Sequence, residues 1–137
     1  MGKRGPKPLP TTIKLLRGNP SNQPLNDKRP IAGGTPTCPA WLPAYGKQVW
    51  RRVLGAMPPG IYTSADVDIL AAYCQACVQH KLAVERLEEE GYFTASGVHQ
   101  AAWAVSNASN TIAKLGSLLG LNPSARDQLK MPNGLSR

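Results

Sequence analysis

The side chains best able to do chemistry are three cysteines, two histidines and eight carboxylates in a chain of 137 residues. Cys74, Cys77 and His80 recur at every third position, and with Cys38 or His99 as a fourth ligand they invite a zinc reading. Inside a helix, though, positions i, i+3 and i+6 fan out by about 120°, and structural zinc takes its cysteine pair from a tight loop. The spacing suits two small apolar groups on a buried stripe and a surface histidine. A redox pair is weaker still, because a catalytic Cys-x-x-Cys sits at a helix N-terminus and this one lies three turns in. An odd number of cysteines does not suit a disulfide framework, so reduced thiols are expected.

The carboxylates are equally unpromising as catalysts. Asp66 and Asp68 diverge on a helix, and Glu88-Glu89-Glu90 reads as a solvated run at a helix C-terminus, whereas two-metal nuclease chemistry needs several convergent acids. Negative charge at that end opposes the helix dipole, so the run is a place that could receive a basic arm or a partner protein. No phosphate-binding Gly-x-x-x-x-Gly-Lys-Ser/Thr loop and no Gly-x-Ser-x-Gly nucleophile elbow occurs. The expectation is a chain that catalyses nothing and carries no cofactor.

What remains is charge. Sixteen basic residues against eight acidic ones give +8, a balance that favours polyanionic partners. Lys3, Arg4, Lys7, Lys14, Arg17, Lys28 and Arg29 stand against Asp27 alone, so the first 30 residues hold +6 of that excess. Nine of thirteen prolines fall within the first 43 residues, which rules out a long helix or central strand there. Residues 1–39 therefore read as an extended, largely disordered basic arm in which only Thr11 to Arg17, stopped by Gly18, could wind two helical turns. The segment Lys3-Arg4-Gly5-Pro6-Lys7-Pro8 has the flat, basic form of a minor-groove binder and resembles an AT-hook without its second arginine, with Arg4 as the inserting side chain. Seven phosphate contacts would give a log affinity against log salt slope of about −6 per arm.

From Trp41 onward the pattern becomes helical, and residues 40–130 read as an all-α core. Tyr45 to Met57 places Val49, Trp50, Val53, Leu54 and Met57 on one face before Pro58-Pro59-Gly60. A second helix starts at Thr63 or Ser64, with Asp66 in capping-box position, and carries Val67, Leu70, Ala71, Cys74, Cys77, Val78, Lys81, Leu82 and Leu87 to the stop at Gly91. Tyr92 to Gly97 is a short extended link or hairpin. A third helix runs from about His99 to Leu119, with Val105, Ala108, Ile112, Leu115 and Leu119 at alternating spacings of three and four, and Gly120 ends it. Asn122-Pro123-Ser124 opens a last helix to about Leu129, and residues 131–137 fray. Trp41, Trp50 and Trp103 are expected in helix packing rather than stacked on bases.

The second helix would be roughly 40 Å long, while a compact domain of this size is about 25 to 30 Å across. Two long antiparallel helices thus leave apolar flanks uncovered, and the third-helix seam is the expected interface of a homo-oligomer; a three-helix core closed on itself is the alternative. No apolar run approaches the ~18 residues of a membrane span, so no membrane partner is expected.

Read in order, Lys14 to Pro20, Pro24-Leu25-Asn26, Cys38-Pro39-Ala40-Trp41-Leu42, Trp50-Arg51-Arg52, Thr63 to Cys74, Glu88 to Gly91 and Gly120 to Arg126 are similar to the small subunit of tailed-phage terminases. That resemblance spans about residues 3–129. It implies a non-enzymatic subunit acting in the host cytoplasm that recognises double-stranded viral DNA, forms a ring, and regulates a large subunit holding the ATPase and nuclease. A basic-armed adaptor for an acidic protein is the competing class, separated by titration against duplex DNA. A small zinc-dependent regulator is a third, separated by metal analysis.

Overall fold

The computed structural model describes residues 11–18, 22 and 33–127, without the side chains of residues 11, 12, 14 and 127. Five helices follow in order, α1 Thr11–Leu16, α2 Ala44–Ala56, α3 Val67–Glu90, α4 Gln100–Leu118 and α5 Pro123–Asp127, with two short strands, β1 Phe93–Thr94 and β2 Gly97–Val98, between α3 and α4. The protein is mainly helical, as its periodicity requires. Two units are distinguishable, Ala32–Leu119 and the two flanking segments 1–31 and 120–137 taken together.

Local chemistry punctuates each helix of the larger unit. Met57 is extended because it precedes Pro58, and this ends α2. The Asp66 carboxylate accepts hydrogen bonds from the Thr63 N–H at 2.7 Å and the Thr63 hydroxyl at 3.0 Å. This is the expected capping box, closing a 3₁₀ turn over Ser64–Asp66 that leads into α3. Gly91, at φ +83, stops α3 with its N–H on the Leu87 carbonyl, a geometry that side chains resist. The link that follows is the small hairpin, with Phe93 opposite Val98 and Thr94 opposite Gly97 in an antiparallel register.

α4 has an unusual cap. The His99 ring accepts the Ala101 N–H at Nδ1 (3.0 Å) while its Nε2 lies 2.7 Å from the Glu90 carboxylate. With Nδ1 accepting, Nε2 carries the proton and donates to Glu90, so the imidazole ties the end of α3 to the start of α4. At the other end the buried Tyr62 hydroxyl donates to the Leu119 carbonyl at 2.6 Å, joining the approach to α3 with the close of α4. These two ties, at opposite ends, show that α3 and α4 are antiparallel.

α4 and α2 both pack on α3. The core holds Leu42, Val49, Trp50, Val53, Leu70, Cys74 and Val78, of which Leu70 and Cys74 are fully buried. Gly46 permits the close approach of α2, because a Cβ there would stand 3.2 Å from Leu42 Cδ2 and 3.3 Å from Val78 Cγ2. The beginning of α2 lies beside Lys81, whose ammonium sits 5.0 Å over the Tyr45 ring. Since α3 has 24 residues, about 36 Å, and the start of α2 lies beside Lys81, the last third of α3 runs past α2, with α4 as its packing partner among the described residues.

Two expectations are corrected here. Leu82, placed on the core stripe by spacing, is largely exposed, because it lies beyond the point where α2 ends its cover. Trp50 is buried, but Trp41 and Trp103 are not: one stands in the turn before α2 and the other on the outward face of α4. In the flanking unit, the Asn122 side chain accepts the Ala125 N–H at 2.6 Å and Pro123 opens α5, as read from sequence. The expected extension to Leu129 and the tail 131–137 lie outside the described residues.

Candidate functional site

The thiols behave as core. Cys74 and Cys77 are buried on α3, and burial first, then the neighbouring Cys77 and Cys38, pushes the Cys74 thiol up to about 12. Burial also raises Cys77, partly offset by a hydrogen bond from Tyr73 and by the charge of Arg52. Thiols held protonated in this way are poor nucleophiles and poor metal ligands. Among the described residues no group of three or more His, Cys, Asp or Glu side chains is placed to hold a metal. Cys74 and Cys77 pack as part of the buried stripe of α3, while His80 is half-buried.

The cationic candidates divide. Lys3, Arg4, Lys7, Lys28 and Arg29 lie outside the described residues, and Lys14 falls within α1. Arg17 closes α1 with its N–H on the Ile13 carbonyl, and its side chain is half-buried with Nε screened from solvent and no hydrogen-bond partner among the described residues. Gly18, at φ +72, follows it as the expected stop.

The seam on α4 turns toward α3. Ala108 and Leu119 are buried within the chain, and Val105, Ile112 and Leu115 are half-buried. Beside that seam runs an open groove of about 740 Å³ between the tip halves of α3 and α4, lined by Leu82, Glu85, Arg86 and Glu89 on one side and by Ala101, Ala104, Asn107, Ala108 and Thr111 on the other. Sequence reasoning did not single out this flank. Its signal was present in Ala101, Ala104 and Ala108, which recur at helical spacing and leave a shallow wall wherever a second helix lies alongside.

Charge on the larger unit is polarised along the same hairpin. Lys81 pairs with Glu85 at 3.0 Å and Arg86 with Glu90 at 2.6 Å, both on the surface and worth little each. Hydrogen bonding by His99, reinforced by Arg86, holds the Glu90 carboxyl below its usual range. Glu88 and Glu89 have no ion pair among the described residues, and Tyr92, Phe93 and Val98 stand exposed just beyond them. On α2, by contrast, Lys47, Arg51 and Arg52 have no acidic neighbour in the helix, and both arginines are exposed. This second basic face, like the groove, was not read from the sequence.

Among the described residues no helix is long and apolar enough to cross a membrane. A family model described as phage terminase, small subunit, matches residues 46–134, which takes in most of α2 and all of α3, the hairpin, α4 and α5. No curated protein and no solved structure matches the chain. Since the match covers well over half of the sequence and every helix of the hairpin core, the chain belongs to the phage terminase small subunit family.

Proposed function

We propose that this chain is the non-catalytic, DNA-recognising component of a viral genome-packaging motor, which recruits and modulates a separate large subunit carrying the ATPase and nuclease. Family membership over residues 46–134 carries the reading, because small subunits of terminases are in general the non-catalytic partners in packaging. In the division of labour proposed, residues 1–39 grip double-stranded viral DNA through Lys3, Arg4, Lys7, Lys14, Arg17, Lys28 and Arg29. Residues 40–130 self-associate into a ring, with Val105, Ile112 and Leu115 at the edge of the subunit contact beside Ala108 and Leu119. Residues 131–137 form a tail.

Charge and multivalency support this. A run of seven cations releases counterions when it meets phosphates, and several arms on one scaffold raise avidity for a polymer even when each arm binds weakly. The concentration of positive charge before residue 30, ahead of the matched segment, makes the arm separable from the core. The test is removal of residues 1–29. The shortened protein should keep the assembly mass of the full chain and lose most retention of labelled duplex DNA at moderate salt. Unchanged retention would remove the arm from the account.

A further inference from the structure

Among the described residues the α3–α4 hairpin is two helices thick near its tip, and the groove along its flank is open. It is low along much of its length: Leu82 keeps 58% of its surface exposed, and Ala101, Ala104 and Ala108 offer nothing beyond Cβ, with Asn107 and Thr111 as the polar groups of the α4 side. Its charged lining is Glu85, Arg86 and Glu89; Glu85 pairs with Lys81 and Arg86 with Glu90, which leaves the Glu89 carboxylate as the uncompensated charge. Glu89, on the groove wall, has no ion pair among the described residues.

The outward face of α2 offers a complement. Ala44–Ala56 carries Lys47, Arg51 and Arg52 with no acid; Arg52 acts on Tyr73 and Cys77 of α3 and Lys47 is half-buried, so Arg51 is the cation of the outward side. One turn beyond Arg51 on the same face is Gly55, where a Cβ would meet nothing among the described residues. A glycine inside a helix costs about 1 kcal/mol relative to alanine. Gly46 has a reason within the chain, its close fit to Leu42 and Val78, and Gly55 has none. A missing side chain on an exposed basic helix is what allows another backbone to come close. The chain's own α2 lies along the part of α3 that ends at Lys81, so its outward face is turned away from its own groove and is free to meet that of a second copy.

We infer that the groove between the tip halves of α3 and α4 receives the outward face of α2 from a second copy of this chain, with Arg51 against Glu89 and Gly55 at the closest approach. The inference rests on the self-association proposed above and assigns it a surface. The two patches differ, so each copy offers α2 to one neighbour and its groove to the next, a head-to-tail contact that forms a ring when the rotation closes. Opposite charges fix the register and make the contact sensitive to salt.

Arg51→Glu and Glu89→Arg test it, read by light scattering for mass and far-UV circular dichroism for helicity. Both positions are exposed, so each variant should stay helical, and each alone should drop toward the mass of one chain. An equimolar mixture of the two should regain the mass of an assembly, because the reversed charges meet each other at one contact and the native pair meets at the next. Gly55→Leu should also dissociate the assembly while leaving the thermal midpoint of the chain no lower, since its own chain leaves room for the side chain. Wild-type assemblies that ignore all three substitutions, or a mixture that stays dissociated, would overturn this surface and leave self-association standing. Mass lost only on removal of residues 1–31 would name the arm as occupant and overturn it equally. A wild-type chain that is itself monomeric would instead sink self-association.

Discussion

The two halves of the α3–α4 hairpin are made from the same two helices and are held together differently. Toward the base, α2 adds a third helix, and Val49, Trp50, Leu70 and Cys74 are buried almost completely between them. Toward the tip no third helix is present among the described residues, the buried groups shrink to Ala83, Ala102 and Ala108, and Leu82, Phe93 and Trp103 face outward. Helix propensity is not what separates them, since both halves are continuous helix; the number of layers is. Cohesion therefore resides in the base, and the tip is a surface presented on a stable stem.

The comparison breaks most visibly at Leu70. Leu70→Ala removes a fully buried side chain and should cost about 3 kcal/mol or more of unfolding free energy, while Phe93→Ala at the tip, losing an edge-on contact with Tyr92, should cost about 1 kcal/mol or less. Denaturant midpoints of the two variants measure this, and equal losses would erase the distinction. Next in size is Tyr62→Phe, expected to lose about 1–2 kcal/mol because the Leu119 carbonyl is left without its donor.

Alkali and acid sharpen the same contrast from opposite sides. Burial raises the Tyr62 hydroxyl and the Cys74 thiol to about 12, so both favour the protonated folded state. Their contribution is complete below the ordinary values of 10 and 9 and is lost as pH climbs toward 12, which should loosen the base. Glu90 is shifted down, so its contribution is present above 4.5 and disappears as pH falls through the lowered folded value. The smallest effect is therefore acid fraying at the junction of α3 and α4, seen as faster amide exchange at Ala101 with the base unaffected. Global unfolding in that range would contradict it.

Much of this architecture was legible because the chain punctuates itself. Thr63 with Asp66, Gly91, Gly120 and Asn122-Pro123 mark helix ends by chemistry that acts within a few residues, and the structure agrees with them closely. The exposure of Leu82 was not legible, since periodicity says which face is apolar and not how far a neighbouring helix extends. The His99 cap escaped notice because histidine is not among the usual capping residues and its role here depends on Glu90 lying opposite. For the candidate site, the arm was visible as charge alone, while the groove and the basic face of α2 emerge only when helices are set side by side.

The central claim is that a helical core of this family carries a separate cationic arm for DNA. The salt dependence of affinity for duplex DNA, compared by fluorescence anisotropy between the full chain and one lacking residues 1–29, tests it most directly. The account predicts a log–log slope for the full chain reaching about −6 per arm, collapsing when the arm is removed. The same slope and affinity in both proteins would contradict it.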